Sequence, residues 1–131
     1  MAKAAGHGRS LSWFTVIGAI AAAVHYIVAV TLESGFSVAP AWANSIGFVL
    51  AFPVSYLGHS KLSFARHTAS HRTALPRFLA IALTSFLGNQ ALLLSLLAWL
   101  AWPFWITLAF VMVIVAFLTY VLSRYWAFKA A

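Results

Sequence analysis

Acidic residues are nearly absent from this chain: Glu33 is its only Asp or Glu, against eight Lys and Arg. Charged residues make up 7% of the sequence, whereas a soluble domain carries about 25%. Cysteine is absent, which excludes disulfide bonds and thiol nucleophiles. Enzymes generally need an acid, base or nucleophile with a partner in hydrogen-bond reach. With one carboxylate and no thiol, the chain is therefore not expected to be an enzyme.

Apolar sequence, in contrast, is abundant and falls into four segments of about 20 residues each. A helix rises about 1.5 Å per residue, so each segment can cross a hydrocarbon core of about 30 Å. A soluble bundle is disfavoured, because helices that are apolar on all sides leave no polar face for water. The sequence therefore predicts an all-α integral membrane protein, a single domain over residues 1–131 with four transmembrane helices at about 11–32, 39–58, 78–100 and 104–123.

The cationic residues all fall on one side of this predicted arrangement. They precede the first span, fill the long loop between the second and third, and follow the fourth: Lys3, Arg9, Lys61, Arg66, Arg72, Arg77, Arg124 and Lys129. Short loops rich in Lys and Arg stay cytoplasmic, so both termini are predicted to be cytoplasmic, in the cytoplasmic (inner) membrane. The net charge of +7 is explained by topology and by attraction to anionic lipid headgroups, and no nucleic acid partner is expected.

A shift of 64 residues lays the first half of the chain on the second. Apolar and aromatic identities coincide at Phe14 and Phe78, Ile17 and Ile81, Val49 and Val113, Tyr56 and Tyr120, and Phe64 and Phe128. The same shift places His25 on Asn89 and Tyr26 on Gln90. A repeat of two spans returns to its starting side, so the pattern predicts two parallel-repeated helical hairpins related by an axis along the membrane normal. Their interface near the midplane is the expected place for a substrate path.

Polar residues inside the spans are the first candidates for substrate binding. His25 lies near the middle of the first span, where a polar side chain usually faces the bundle interior or a wet cavity. An interhelical hydrogen bond, which contributes about 0.6–2 kcal/mol, is the structural alternative. The same two interpretations hold for the other polar candidates, which are Tyr26, Asn44, Asn89 and Gln90.

Cationic residues at the ends of the spans form a second set of candidates. Lys61, Arg77 and Arg124 can bind a lipid phosphate at the inner interface, because basic pockets between helices suit anionic headgroups. Setting the topology and snorkelling are their ordinary structural roles. No cofactor or metal site is expected, since His67 and His71 have no carboxylate or Cys nearby to complete one.

Several short motifs resemble the GtrA-like family of small four-helix membrane proteins. They are the opening pair Arg77–Phe78, the pair Ala43–Asn44 early in the second span, and the step His25–Tyr26. The closing segments at 59–64 and 123–128 complete the pattern, although His59 and Ser123 stand where the family usually has Asn, and Ser60 and Leu62 replace an Arg and a Trp. The resemblance covers nearly the whole chain, from Phe14 to Phe128.

This resemblance implies a role in glycosylation of cell-envelope polymers. Family members are thought to move polyprenyl-phosphate-linked sugars across the cytoplasmic membrane, or to anchor the glycosyltransferase that makes them. Four helices enclose little volume, so a homodimer or a partner glycosyltransferase is expected beside the membrane lipids. A small multidrug exporter has a similar length, but such exporters rely on a carboxylate within the first helix, where this chain has His25.

Overall fold

Four α-helices make up most of the computed structural model, which describes residues 2–63 and 71–122. Helix α1 is Ala2–Val30, and a π-helical segment, Thr31–Gly35, continues it. Helix α2 is Pro40–Gly58, and a second π-helical segment, His59–Ser63, follows it. Helix α3 is His71–Trp99 and helix α4 is Phe104–Leu122. No strand occurs in these two ranges, so the predicted all-helical class is confirmed there.

Three of the helical stretches are long and apolar enough to cross a membrane, and a shorter apolar helix follows them. The three are Ser12–Gly35, Pro40–Lys61 and Leu75–Trp99, and the shorter one is Phe104–Leu118. Helix α4 as a whole has 19 residues, which rise about 28 Å and so approach the thickness of the hydrocarbon core. The chain is a multi-pass membrane protein, while the cytoplasmic location of its termini stays a prediction.

Helix α3 begins seven residues before the predicted start of the third span, at His71 instead of residue 78. Arg72 and Arg77, which were predicted to lie in the loop before that span, belong to the first two turns of α3. Hydropathy marks only the part of a helix that lies in lipid, whereas backbone hydrogen bonds continue wherever Arg, Ala and Leu favour a helix. The same reason explains why α1 begins at Ala2, well before the first apolar segment.

The chain divides into two compact units after Ala82. In the first unit, α1 packs against α2 through small side chains spaced four residues apart. The small buried residues in this spacing are Ala21 and Ala29 on α1, with His25 midway between them, and Ala43, Gly47 and Ala51 on α2. Small residues at four-residue spacing let two helix backbones approach closely, which is how helices associate in a membrane.

Buried positions in the second unit carry larger side chains. They are Asn89 and Leu93 on α3, and Phe104, Thr107, Leu108 and Val111 on α4. Thr107 donates its hydroxyl hydrogen at 3.0 Å to the carbonyl oxygen of Pro103, the residue just before α4, which satisfies the hydroxyl locally.

Burial follows the 64-residue register over one part of each repeat. The buried pairs are His25 and Asn89, Ala29 and Leu93, Ala43 and Thr107, Asn44 and Leu108, and Gly47 and Val111. The first turns of α2 and α4 also begin alike, with the amide of Ala43 bonded to Ala39 and that of Thr107 bonded to Pro103. Burial does not match earlier in the first helix of each repeat: Ile17 is buried, whereas its counterpart Ile81 is 65% exposed. The parallel arrangement of the two hairpins stays a prediction.

Candidate functional site

A hydrogen bond between His25 and Asn44 is the central polar feature of the first unit. Nε2 of His25 lies 2.7 Å from Oδ1 of Asn44, and the contact is buried. An amide oxygen only accepts, so Nε2 carries the hydrogen and donates it. Asn44 is fully buried and His25 is 9% exposed. Because a polar group without a partner is costly in hydrocarbon, this bond lets α1 and α2 hold both side chains within a membrane-spanning hairpin.

The local sequence explains why these two side chains can meet. A Cβ atom at Gly47 would lie 2.7 Å from the carbonyl oxygen of His25 and 2.8 Å from its Cδ2. It would also lie 3.3 Å from Cβ of Ala29. Only glycine therefore fits at position 47 without a shift, and its absence of a side chain brings the α2 backbone onto His25. Asn44, one turn earlier on α2, then lies within reach of the imidazole.

Tyr26 lies beside His25 in the chain, and the two side chains leave α1 in different directions. Adjacent residues in a helix point about 100° apart, so Tyr26 does not share the direction of His25. Its side chain is only partly buried and has interactions of its own.

The predicted residues Asn89 and Gln90 lie in the second unit. Asn89 is buried and Gln90 is partly buried, and both side chains have partners. The repeat counterpart of Asn44 is the buried Leu108, so the pairing of His25 with Asn44 has no equivalent at Asn89 and Leu108. A single path lined by His25 and Asn89 stays a prediction.

The predicted cationic residues differ in how far the structure describes them. Lys61 is exposed within the π-helical segment His59–Ser63, and Arg77 is exposed in the second turn of α3. Arg72, five residues before Arg77, is also exposed. Arg124 lies outside the described residues. The exposed side chains are available to a headgroup or a substrate phosphate, although which of these they bind stays a prediction.

An aromatic cluster surrounds His59 at the end of α2. The His59 ring centroid lies 4.6 Å from that of Phe14 and 5.8 Å from that of Phe78, and His59 is buried. The Phe78 ring also lies 5.7 Å from Phe52 and from Tyr56. Sequence reasoning missed this cluster. The signal available was that Phe14 and Phe78 are repeat counterparts, which the structure brings to one histidine.

The family model described as "GtrA/DPMS, transmembrane domain" matches residues 13–128. The chain belongs to the GtrA/DPMS family. The resemblance that the short motifs indicated is thereby confirmed, and membership connects this GtrA/DPMS chain with the handling of polyprenyl-linked sugars. No curated protein and no solved structure matches the chain.

Proposed function

We propose that this GtrA/DPMS protein moves a polyprenyl-phosphate-linked sugar across the cytoplasmic membrane for glycosylation of cell-envelope polysaccharide. The observation that supports it most is the His25–Asn44 pair, held inside an apolar helical hairpin of a family that handles such lipids. Polar side chains are costly at that depth and commonly mark the path of a polar substrate.

Two regions of the protein suit two parts of the proposed substrate, the phosphate and the sugar. A polyprenyl tail remains in the lipid, so the protein needs to shelter only a sugar and a phosphate. Lys61 and Arg77 are exposed where α2 ends and α3 begins, and cations near a headgroup region attract phosphate. His25 supplies a polar atom for the sugar within the hairpin. Four helices enclose little volume. A second copy of the chain, or a membrane-associated glycosyltransferase, supplies the rest of the enclosure around the sugar.

Membrane anchoring of a glycosyltransferase is the second candidate function. It is favoured by the mutual satisfaction of His25 and Asn44, because a bonded pair can hold two helices together without any substrate. Under this function the exposed Lys61, Arg72 and Arg77 would contact the partner enzyme instead of a lipid phosphate.

Transport in liposomes separates these two functions. The purified chain is reconstituted, and the movement of a short-chain prenyl-phosphate glucose or mannose between leaflets is compared with protein-free liposomes. We expect faster movement with the wild-type chain and with Ile27→Leu, a change on the lipid-exposed side of α1. Removing Lys61 and Arg77 together should slow it.

Movement no faster than in protein-free liposomes, with insertion verified, would contradict the transport proposal. If the same protein then retained a glycosyltransferase on the membrane, anchoring would be its function.

A further inference from the structure

The His25–Asn44 bond determines whether the second imidazole nitrogen, Nδ1, is a hydrogen-bond donor or an acceptor. Because Nε2 donates to Asn44, a neutral His25 ring has its other nitrogen, Nδ1, unprotonated and therefore an acceptor. Asn44 is the partner of the ring, through its side chain at Nε2 and also through its backbone. Nδ1 lies on the other side of the ring from Nε2 and its contact with Asn44, and His25 as a whole is 9% exposed.

Asn44, unlike His25, is fully buried, and its amide is engaged inside the protein. It cannot touch a substrate while it holds His25. Its position opposite the imidazole instead determines which ring nitrogen carries the hydrogen. Metal-binding histidines are oriented in the same way by a partner on the second nitrogen, which shows how strongly one hydrogen bond selects a tautomer.

We propose that His25 binds a sugar hydroxyl through Nδ1, and that Asn44 is a positioning residue that keeps Nδ1 unprotonated for this purpose. The ligand class is a hydroxyl donor, as the hexose of a prenyl-phosphate sugar supplies. This inference rests on the proposed function for the identity of the lipid, and it reassigns Asn44 from substrate contact to support of His25. Gly47 belongs to the same arrangement, since it permits the approach that the bond requires.

Two substitutions at position 25 separate the roles of the two ring nitrogens. In His25→Gln, the side-chain amide reaches the place of Nε2 and can still donate to Asn44, but no acceptor remains at the place of Nδ1. In His25→Asn, the amide oxygen lies near the place of Nδ1, while the contact with Asn44 is lost. Asn is also the residue that the second repeat carries at the equivalent position, Asn89.

The binding measurement uses the full chain in lipid nanodiscs. The affinity for a short-chain prenyl-phosphate glucose or mannose is divided by the affinity for the same prenyl phosphate without sugar. We expect the wild type to prefer at least one sugar-bearing probe. His25→Gln should reduce this preference about tenfold, as loss of one hydrogen bond would, while leaving thermal stability unchanged. His25→Asn should keep most of the preference and lose stability.

Nitrogen NMR of labelled histidine tests Asn44 without any ligand. The His25 signals are assigned by difference from His25→Gln, since the chain has five histidines. We expect a protonated Nε2 and an unprotonated Nδ1 in the wild type. Asn44→Leu, which installs the residue found at the equivalent Leu108, should give a mixture of tautomers and a weaker sugar preference.

Three results would overturn the inference: no sugar preference in the wild type, an unchanged preference in His25→Gln, or a hydrogen on Nδ1 in the wild type. Failure of the transport proposal looks different. A chain that binds the sugar through His25 but moves no lipid in liposomes would end that proposal and leave this one standing. A chain that moves the lipid in liposomes while His25→Gln keeps the full sugar preference would end this inference and leave the transport proposal standing.

Discussion

Gly47 leaves no room for a larger side chain where α2 meets the backbone of α1. In Gly47→Ala the new methyl group would meet the backbone and ring of His25 below 3.0 Å, so the helices must separate. Crowding of this kind typically costs about 1–3 kcal/mol, and here it also weakens the hydrogen bond to Asn44. We expect a lower free energy of unfolding in detergent, measured by denaturant titration.

Gly18→Ala is the matched control for this prediction. A methyl group at Gly18 has nothing within 4 Å, so only the helix propensity changes, by up to about 1 kcal/mol in favour of Ala. Equal stability of the two variants would mean that α1 and α2 are not as close at His25 as the structure has them.

Ser37 is the one residue other than glycine with a positive φ, at 56°, in the described ranges. It lies between the end of the π-helical segment and Pro40, where the amide of Val38 bonds to the carbonyl of Leu32 at 3.0 Å. The left-handed conformation costs a residue with a Cβ about 1 kcal/mol, which glycine avoids.

Ser37→Gly is therefore expected to raise the thermal midpoint of the purified protein. Ser34→Gly, within the helical segment, should lower it, because glycine there gains nothing and loses helix propensity. A lower midpoint for Ser37→Gly would contradict the left-handed turn.

At the scale of helices, the start of α3 is held to the end of α2 by aromatic rings. Phe78 contacts Phe52, Tyr56 and His59 with centroids 5.7–5.8 Å apart. An aromatic pair contributes about 0.5–1.5 kcal/mol beyond the area it buries. Phe78→Leu should therefore lower stability by about that amount and expose the start of α3 to protease.

Phe117→Leu makes the same chemical change at a side chain that is 64% exposed. We expect stability and the rate of cleavage near the start of α3 to match those of the wild type. If Phe78→Leu were equally harmless, the ring contacts would contribute little to the position of α3.

At the scale of the whole molecule, the absence of cysteine makes the orientation directly measurable. Arg72→Cys and Ser34→Cys each introduce a lone thiol at an exposed position. The cationic bias predicts that an impermeant thiol reagent added to intact cells labels Ser34→Cys and spares Arg72→Cys. Labelling of Arg72→Cys from outside would reverse the assigned orientation of the chain.

The sequence was sufficient to predict the helical class, the membrane environment and the family, because each depends on composition and on short motifs. It was not sufficient to predict that His25 binds Asn44. That partnership depends on the relative register of α1 and α2, which the close fit at Gly47 sets. The contacts of His59 with Phe14 and Phe78 were missed for a related reason, because they depend on the rotation of three separate helices.

The bond between His25 and Asn44 also constrains the order of events during membrane insertion. His25 leaves the ribosome 19 residues ahead of its partner, which corresponds to about 1–4 s of synthesis at 5–20 residues per second. During that interval α1 carries an imidazole without its bonding partner, so its early residence in lipid is less favourable than that of a wholly apolar helix. Arrival of α2 removes this disadvantage. The two helices are therefore expected to enter the bilayer as a pair, and a ribosome stalled between them should leave α1 only loosely inserted.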